Sequence, residues 1–156
     1  MHTAKRLIAA TSILLMTTAA HAFTLSEGDE DDGGQILTVE SETVELLFVY
    51  AGAAYNNELS WDTARSGRSI FCLDERPGET ISLGSYGKAT VLDFSLRTPQ
   101  GDLWVTGDGT YNPDGLAHAR LEQRDEHTVR LSFEDMAGGG DLDYEDCVVD
   151  LIVIPR

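Results

Sequence analysis

The sequence predicts an all-β fold, a two-sheet antiparallel sandwich of jelly-roll-like type, on three observations. Short apolar runs recur at close intervals, several of them alternate with period two, and Gly, Pro, Asn and Asp fill the gaps between them. After residue 22 no segment sustains helical periodicity for three turns.

Residues 1–22 read as a secretory signal peptide. Lys5 and Arg6 form a basic start, Leu7 to Met16 is apolar and uncharged, and Ala20-His21-Ala22 offers the small-x-small pattern of a cleavage site. The apolar stretch is too short for a transmembrane anchor, the alternative reading. No Cys follows it to carry a lipid, and no apolar tail follows Pro155. A secreted or periplasmic protein without membrane insertion is therefore expected. Cleavage leaves 134 of the 156 residues, enough for one core. Of the eleven basic residues two fall in the leader, so nine face 27 acidic ones, a charge of −18. Nucleic acid and anionic lipid both call for a basic surface, and this balance argues against either.

Residues 23–35 read as an acidic, flexible lead-in, because the like charges of Glu27 to Gly34 repel and nothing there anchors a core. Several acidic residues fall at EF-hand offsets from Asp29, but Gly33 occupies the fifth position and no room exists for an entering helix. A single sandwich domain is then expected over 36–156. Its strands are read at Ile36–Val39, Val44–Tyr50, Glu79–Leu83, Thr90–Leu96, Asp102–Val105, Ala117–Glu122, Val129–Glu134 and Cys147–Ile154. Turn chemistry separates them, as at Arg76-Pro77-Gly78, Thr98-Pro99-Gln100-Gly101 and Asn112-Pro113-Asp114-Gly115. Cys72 and Cys147 are expected to form a disulfide in an oxidising compartment, buried reduced thiols being the alternative. With His118 and His127 they show no zinc-ligand spacing.

The chemistry lies between Leu131 and Val153. Two strand-like runs flank a loop with three successive glycines, Gly138 to Gly140, and with Glu134, Asp135, Asp141, Asp143, Glu145 and Asp146 but no basic residue. A hairpin of the two runs would draw these carboxylates to one end of a sheet. Two unit charges 4 Å apart repel by roughly 4 kcal/mol at an effective dielectric near 20, so such a cluster needs protonation, splaying into water, or a cation. Calcium accepts irregular six- to eight-fold oxygen coordination more readily than magnesium. The expected ligands are Glu134, Asp135, Asp141, Asp143 and Asp146. Asn57, from Tyr55-Asn56-Asn57-Glu58, is carried as a further member, with an ordinary Asn-rich turn as the alternative. An EF-hand starting at Asp141 is rejected, since its twelfth position is Ile152. A solvated acidic turn is the bland reading of the whole segment.

The run Phe133-Glu134-Asp135 followed by Gly139-Gly140-Asp141-Leu142-Asp143-Tyr144-Glu145-Asp146 resembles the signature of the bacterial domain-of-unknown-function family 4114. Glu145 stands where that family usually has Asn. Phe48-Val49-Tyr50 leading to Tyr55–Trp61, and Asn112 to His118, agree with the same pattern, so the resemblance covers roughly residues 36 to 154. It implies a β-rich module of secreted or surface proteins, often beside adhesion modules or anchors, with no established biochemical role.

Three functions are consistent with these features. The favoured one is a secreted, non-enzymatic, calcium-binding β-sandwich module for surface contact, extracellular binding or adhesion, its partner an unidentified extracellular protein or glycan. A glycosidase-like hydrolase would pair Glu134 with Asp143 or Asp146 as acid and base, but the chain has few aromatics to line a cleft. A carbohydrate-binding module would stack sugars on Tyr55, Trp61 and Trp104, against the favoured account of these as core aromatics. No catalytic residue is assigned.

Overall fold

A computed structural model describes residues 22–27, 35–39, 42–61, 68–87 and 89–154. It is almost entirely β. Twelve strands form among the described residues: β1 Phe23–Glu27, β2 Gln35–Val39, β3 Thr43–Tyr50, β4 Glu58–Trp61, β5 Arg68–Phe71, β6 Thr80–Ser85, β7 Thr90–Leu92, β8 Phe94–Arg97, β9 Leu103–Val105, β10 Ala119–Gln123, β11 Thr128–Phe133 and β12 Cys147–Ile154. Every pairing is antiparallel.

The strands fall into three sheets. Five form the order β10-β11-β12-β3-β6, four the order β5-β4-β8-β9, and a small third sheet runs β1-β2-β7. The third sheet arises because the run read as one strand, Thr90–Leu96, changes partners at Asp93. Thr90–Leu92 pairs with β2, whereas Phe94–Arg97 pairs with β4. Leu92, Phe94 and Leu96 all stay buried across this bend, so one apolar face passes continuously from sheet to sheet. Strands that switch sheets in this way make the corners of a sandwich.

Alternation explains which faces meet. Val44, Leu46 and Phe48 from β3, Val129, Leu131 and Phe133 from β11, and Val149, Leu151 and Val153 from β12 point inward from the five-stranded sheet. Leu59 and Trp61 from β4, with Phe94, Leu96 and Trp104, face them from the four-stranded sheet. All belong to one apolar core. Outside it, Arg130 and Asp150 lie opposite each other on β11 and β12 and join through two hydrogen bonds of 2.8 and 3.0 Å. A paired fork of this kind fixes register as well as adding attraction.

The lead-in expected at 23–35 is corrected at its start. Phe23–Glu27 is strand β1, paired residue for residue with β2 from Phe23–Val39 to Glu27–Gln35, and Phe23 is 1% exposed. Phe23 and Leu25 sit at period-two spacing, and that apolar pair outweighs the acidic run after it. Residues 28–34 lie outside the described residues. So does the segment read as a signal peptide apart from Ala22, whose N–H donates to the Glu126 carbonyl at 3.3 Å. Among the described residues no helix is long and apolar enough to cross a membrane.

Cys72 and Cys147 are joined, with a Cα–Cα distance of 5.9 Å. The bond ties the turn after β5 in one sheet to the first residue of β12 in the other. The covalent loop spans 75 positions, for which chain-entropy reasoning gives a stabilisation of about 4 kcal/mol. Alkylation of the native protein without reductant should therefore leave its intact mass unchanged. A Cys72→Ala/Cys147→Ala variant should melt well below the parent. Two alkylated thiols in the unreduced protein would remove the bond.

Candidate metal site

The β11–β12 ladder ends at the pair Phe133–Cys147. Glu134 and Asp135 continue the chain directly beyond β11, and Asp146 directly precedes β12, so the register alone sets three carboxylates side by side at one end of the five-stranded sheet. One oxygen from each of Glu134, Asp135 and Asp146 lies within 4.8 Å of the others. Glu134 is 2% exposed, and its Oε2 has no hydrogen-bond partner. Its Oε1 accepts a long bond, 3.3 Å, from the Met136 N–H. The Asp135 N–H donates to Asp146 Oδ2 at 2.8 Å, which holds the two loop ends together.

Asn57 enters from the connection between β3 and β4. It is fully buried, and its Nδ2 donates to Asp135 Oδ2 at 2.7 Å. Its own Oδ1 is buried without a partner. Backbone bonds position it: the Asn57 carbonyl accepts from Cys72 N–H at 2.9 Å, next to the disulfide. The Asn-rich turn is thus brought to the carboxylates, and Asn56 beside it bonds Asp74 and the Leu73 N–H instead.

Asp141 and Asp143 stand apart from this inner group. Both are exposed, and with Glu134 they form a second set whose oxygens also lie within 4.8 Å of one another. Each accepts from the N–H two residues ahead, Asp141 from Asp143 and Asp143 from Glu145. The intervening Leu142 and Tyr144 take left-handed backbone angles, φ 60° and 58°. Such angles are unfavourable for side-chain-bearing residues unless the surroundings hold them. Tyr144 is held by its hydroxyl, which donates to the Ala117 carbonyl at 3.1 Å, and by Arg120 stacked over its ring at 4.2 Å. Gly140 makes the close approach feasible. It also has positive φ, and a Cβ there would overlap the Glu134 carboxyl group, within 2.9 Å of its Cδ. Of the acidic residues of the loop, Glu145, which is not among the expected ligands, contributes to neither group; its carbonyl accepts from the Gly52 N–H at 2.7 Å.

Three residues that the sequence reading did not assign to the site support it from beneath. Trp104 Nε1 donates to the Asp135 carbonyl at 2.9 Å. The buried His118 ring stacks on Trp104, centroids 3.7 Å apart, and places Nδ1 2.9 Å from the Glu134 carbonyl oxygen and Nε2 2.9 Å from Asp114 Oδ2. Asp114 accepts also from the Gly138 N–H at 2.8 Å, linking the glycine run to the same framework. Burial acts to raise the Asp114 pKa, but the bonds from Gly138, His118 and Leu116 outweigh it and lower it to about 2. The only sequence trace of this framework is the Asp114–His118 spacing, since Trp104 joins it through the fold.

The two tryptophans do not form a sugar-stacking surface with Tyr55. Trp61 and Trp104 are 2% and 1% exposed and belong to the core, while Tyr55 is half-exposed. No family model matches the chain, and no curated protein or solved structure matches it either.

Asp146 registers the crowding. Burial is the largest cause raising its pKa, opposed by the Asp135 N–H and reinforced by the charges of Asp135 and Glu134, and the result is about 7. In the metal-free fold Asp146 keeps its proton to near that pH, whereas the unfolded chain releases it near 3.8. The native state therefore binds more protons in this window, and the group's stabilisation is full below the unfolded value and lost as pH rises through 7. Melting temperatures taken in chelator should fall between about pH 4 and pH 7. Asp146→Asn should flatten part of that fall. Superimposable profiles for parent and variant would exclude this coupling.

Proposed function

We propose that the chain is a calcium-binding, non-enzymatic β-module acting in extracellular or surface binding, with the cation held by Glu134, Asp135, Asp146 and Asn57. The single observation that carries the reading is the buried Glu134 Oε2, without a partner beside the Asp135 and Asp146 carboxylates; the buried Asn57 Oδ1 is likewise unpartnered. A buried carboxylate oxygen left unpaired is costly. A hard cation satisfies carboxylate and amide oxygens together, and calcium tolerates so irregular a set. Among the described residues none of these carboxylates has a Lys or Arg partner. The resemblance to family 4114, the export signal and the adhesion role belong to this proposal, and the disulfide is compatible with an extracellular or periplasmic setting.

A hydrolase built on the same carboxylates has less support. Two depressions, one lined by Trp61, Tyr86 and Thr90 to Phe94 and the other including Ser60, Arg97, Leu103 and Tyr111, contain no member of the cluster. A bound cation would also favour the ionised carboxylates and so remove the acid that glycoside cleavage needs.

Calcium should raise the melting temperature of the chelator-stripped protein, because a ligand bound only by the native state adds RT ln(1 + [L]/Kd), about 2.7 kcal/mol at a hundredfold excess. Glu134→Gln and Asp135→Asn should lose most of that increment. A melting temperature indifferent to millimolar calcium would defeat the proposal. Turnover of a glycoside panel that disappears in Glu134→Gln, with folding intact, would favour the hydrolase instead.

A further inference from the structure

The four-stranded sheet carries a separate constellation on the face turned away from the core. Phe94 and Leu96 of β8 point inward, so the alternation sets Asp93, Ser95 and Arg97 in a row outside. Register then places Ser60 of β4 on one side of Ser95 and Val105 of β9 on the other, with Leu103 beside Arg97. Together with Tyr111 these residues line a depression of about 510 Å3, within the ~300–1,000 Å3 typical of clefts that hold small ligands. None of them belongs to the carboxylate cluster. On β9, Trp104 faces inward to the Asp135 carbonyl, while Leu103 and Val105 on either side of it line the depression.

Tyr111 is 71% exposed, yet its backbone is fixed. The Asp108 carboxylate accepts from the Thr110 N–H and hydroxyl at 2.8 and 2.7 Å, and the Tyr111 N–H donates to the Asp108 carbonyl at 3.0 Å. Asn112, the next residue, accepts from the Val105 N–H at 2.8 Å, which ties this turn to β9. A Cβ at Gly107 would come within 3.5 Å of the Tyr111 ring, so the ring rests against the glycine turn. An aromatic surface held out to water on an ordered turn loses little freedom when something binds to it. The polar groups beside it are uncommitted: among the described residues the side chains of Ser60, Asp93, Ser95 and Arg97 have no hydrogen-bond or salt-bridge partner.

We infer that this face is a saccharide-binding site, taking a short neutral oligosaccharide with one ring stacked on Tyr111 and its hydroxyls bonded by Arg97, Asp93 and the two serines. The inference names a ligand for the binding role proposed above and rests on that reading, but it uses none of the cation ligands. A sugar ring presents a C–H face that packs on an aromatic ring, and hydroxyls that both donate and accept. Arginine only donates, an ionised aspartate only accepts, and serine does both. Asp93 and Arg97 stand about 13 Å apart along an extended strand, room for more than one sugar ring. One Arg and one Asp leave the depression without net charge on a chain of formal charge −16, and an anionic ligand would meet a single cation against that field. A wholly apolar ligand would leave the charged and hydroxyl groups unpaired. A peptide strand adds at a sheet edge, whereas the main-chain groups of β4 and β8 beneath this depression are paired on both sides.

An array of neutral and acidic oligosaccharides, including glucans, mannans, galactans, xylans and N-acetylhexosamine polymers, followed by calorimetric titration with the best-bound glycan, tests the site. Binding of a neutral glycan is expected. Tyr111→Ala and Arg97→Ala should each weaken it about tenfold, and Tyr111→Phe should retain it. These variants alter exposed side chains, so their melting temperatures should match the parent's. A chain that gains melting temperature from calcium but binds no neutral glycan overturns the inference and leaves the calcium reading intact. One that binds a neutral glycan through Tyr111 but ignores calcium does the reverse. Affinity unchanged in both alanine variants overturns the placement on this face, and binding of acidic glycans alone overturns the neutral chemistry.

Discussion

A carboxylate buried with one oxygen unanswered is the constraint on which this end of the molecule depends. Glu134 lies immediately past the last β11–β12 pair, so the strand that fills the core also delivers the charge. The Glu134 N–H donates to the His118 carbonyl at 2.9 Å, which fixes the backbone that carries this side chain. The proton that Asp146 keeps to near pH 7 relieves part of the repulsion, and a cation would relieve more. Gly140 and Asn57 are residues of the size and polarity that such an arrangement demands.

The rigidity of that end comes from several separate ties. Trp104 and His118 hold the carbonyls of Asp135 and Glu134, Asp114 holds the glycine run, and Asn112 closes the intervening loop through bonds to Val105 N–H and the Leu116 carbonyl. The disulfide bears on both sides of the cluster, since Cys147 follows Asp146 and Cys72 donates to the Asn57 carbonyl. Glu134 and Asp135 are thereby oriented through their backbones, and Glu134 Oε2 is left without a partner. Such ordering would pre-organise the proposed cation site.

The strands of the five-stranded sheet were legible because their alternation is long enough to register. Thr128–Phe133 and Cys147–Ile154 each place three or more apolar residues inward. Strands β4 and β5 escape such reading because four residues place only one or two side chains inside. β1 is hidden by the acidic run that adjoins it. The carboxylates of 134–146 are adjacent in sequence, so their crowding shows without a structure. Their division into a buried and an exposed set does not, because it arises from the glycine-permitted turn and the left-handed Leu142 and Tyr144. The Trp104–His118 stack is invisible for a similar reason: strand β9 and the residue before β10 meet only when the sheets close on one core.

The separation of Asn57 from Asp135 along the chain, 78 positions, has a consequence for timing. A growing or partly unfolded polypeptide presents the acidic loop alone, without the buried amide or the wall that shields it. A cation meeting such a chain finds a loose polyanion and exchanges with water. The same cation meeting the closed molecule finds converging oxygens. If the proposed site binds its cation, ion retention would discriminate finished molecules from unfinished ones. Under the proposed calcium reading, the ion would act as a late lock on assembly rather than as the nucleus from which assembly starts.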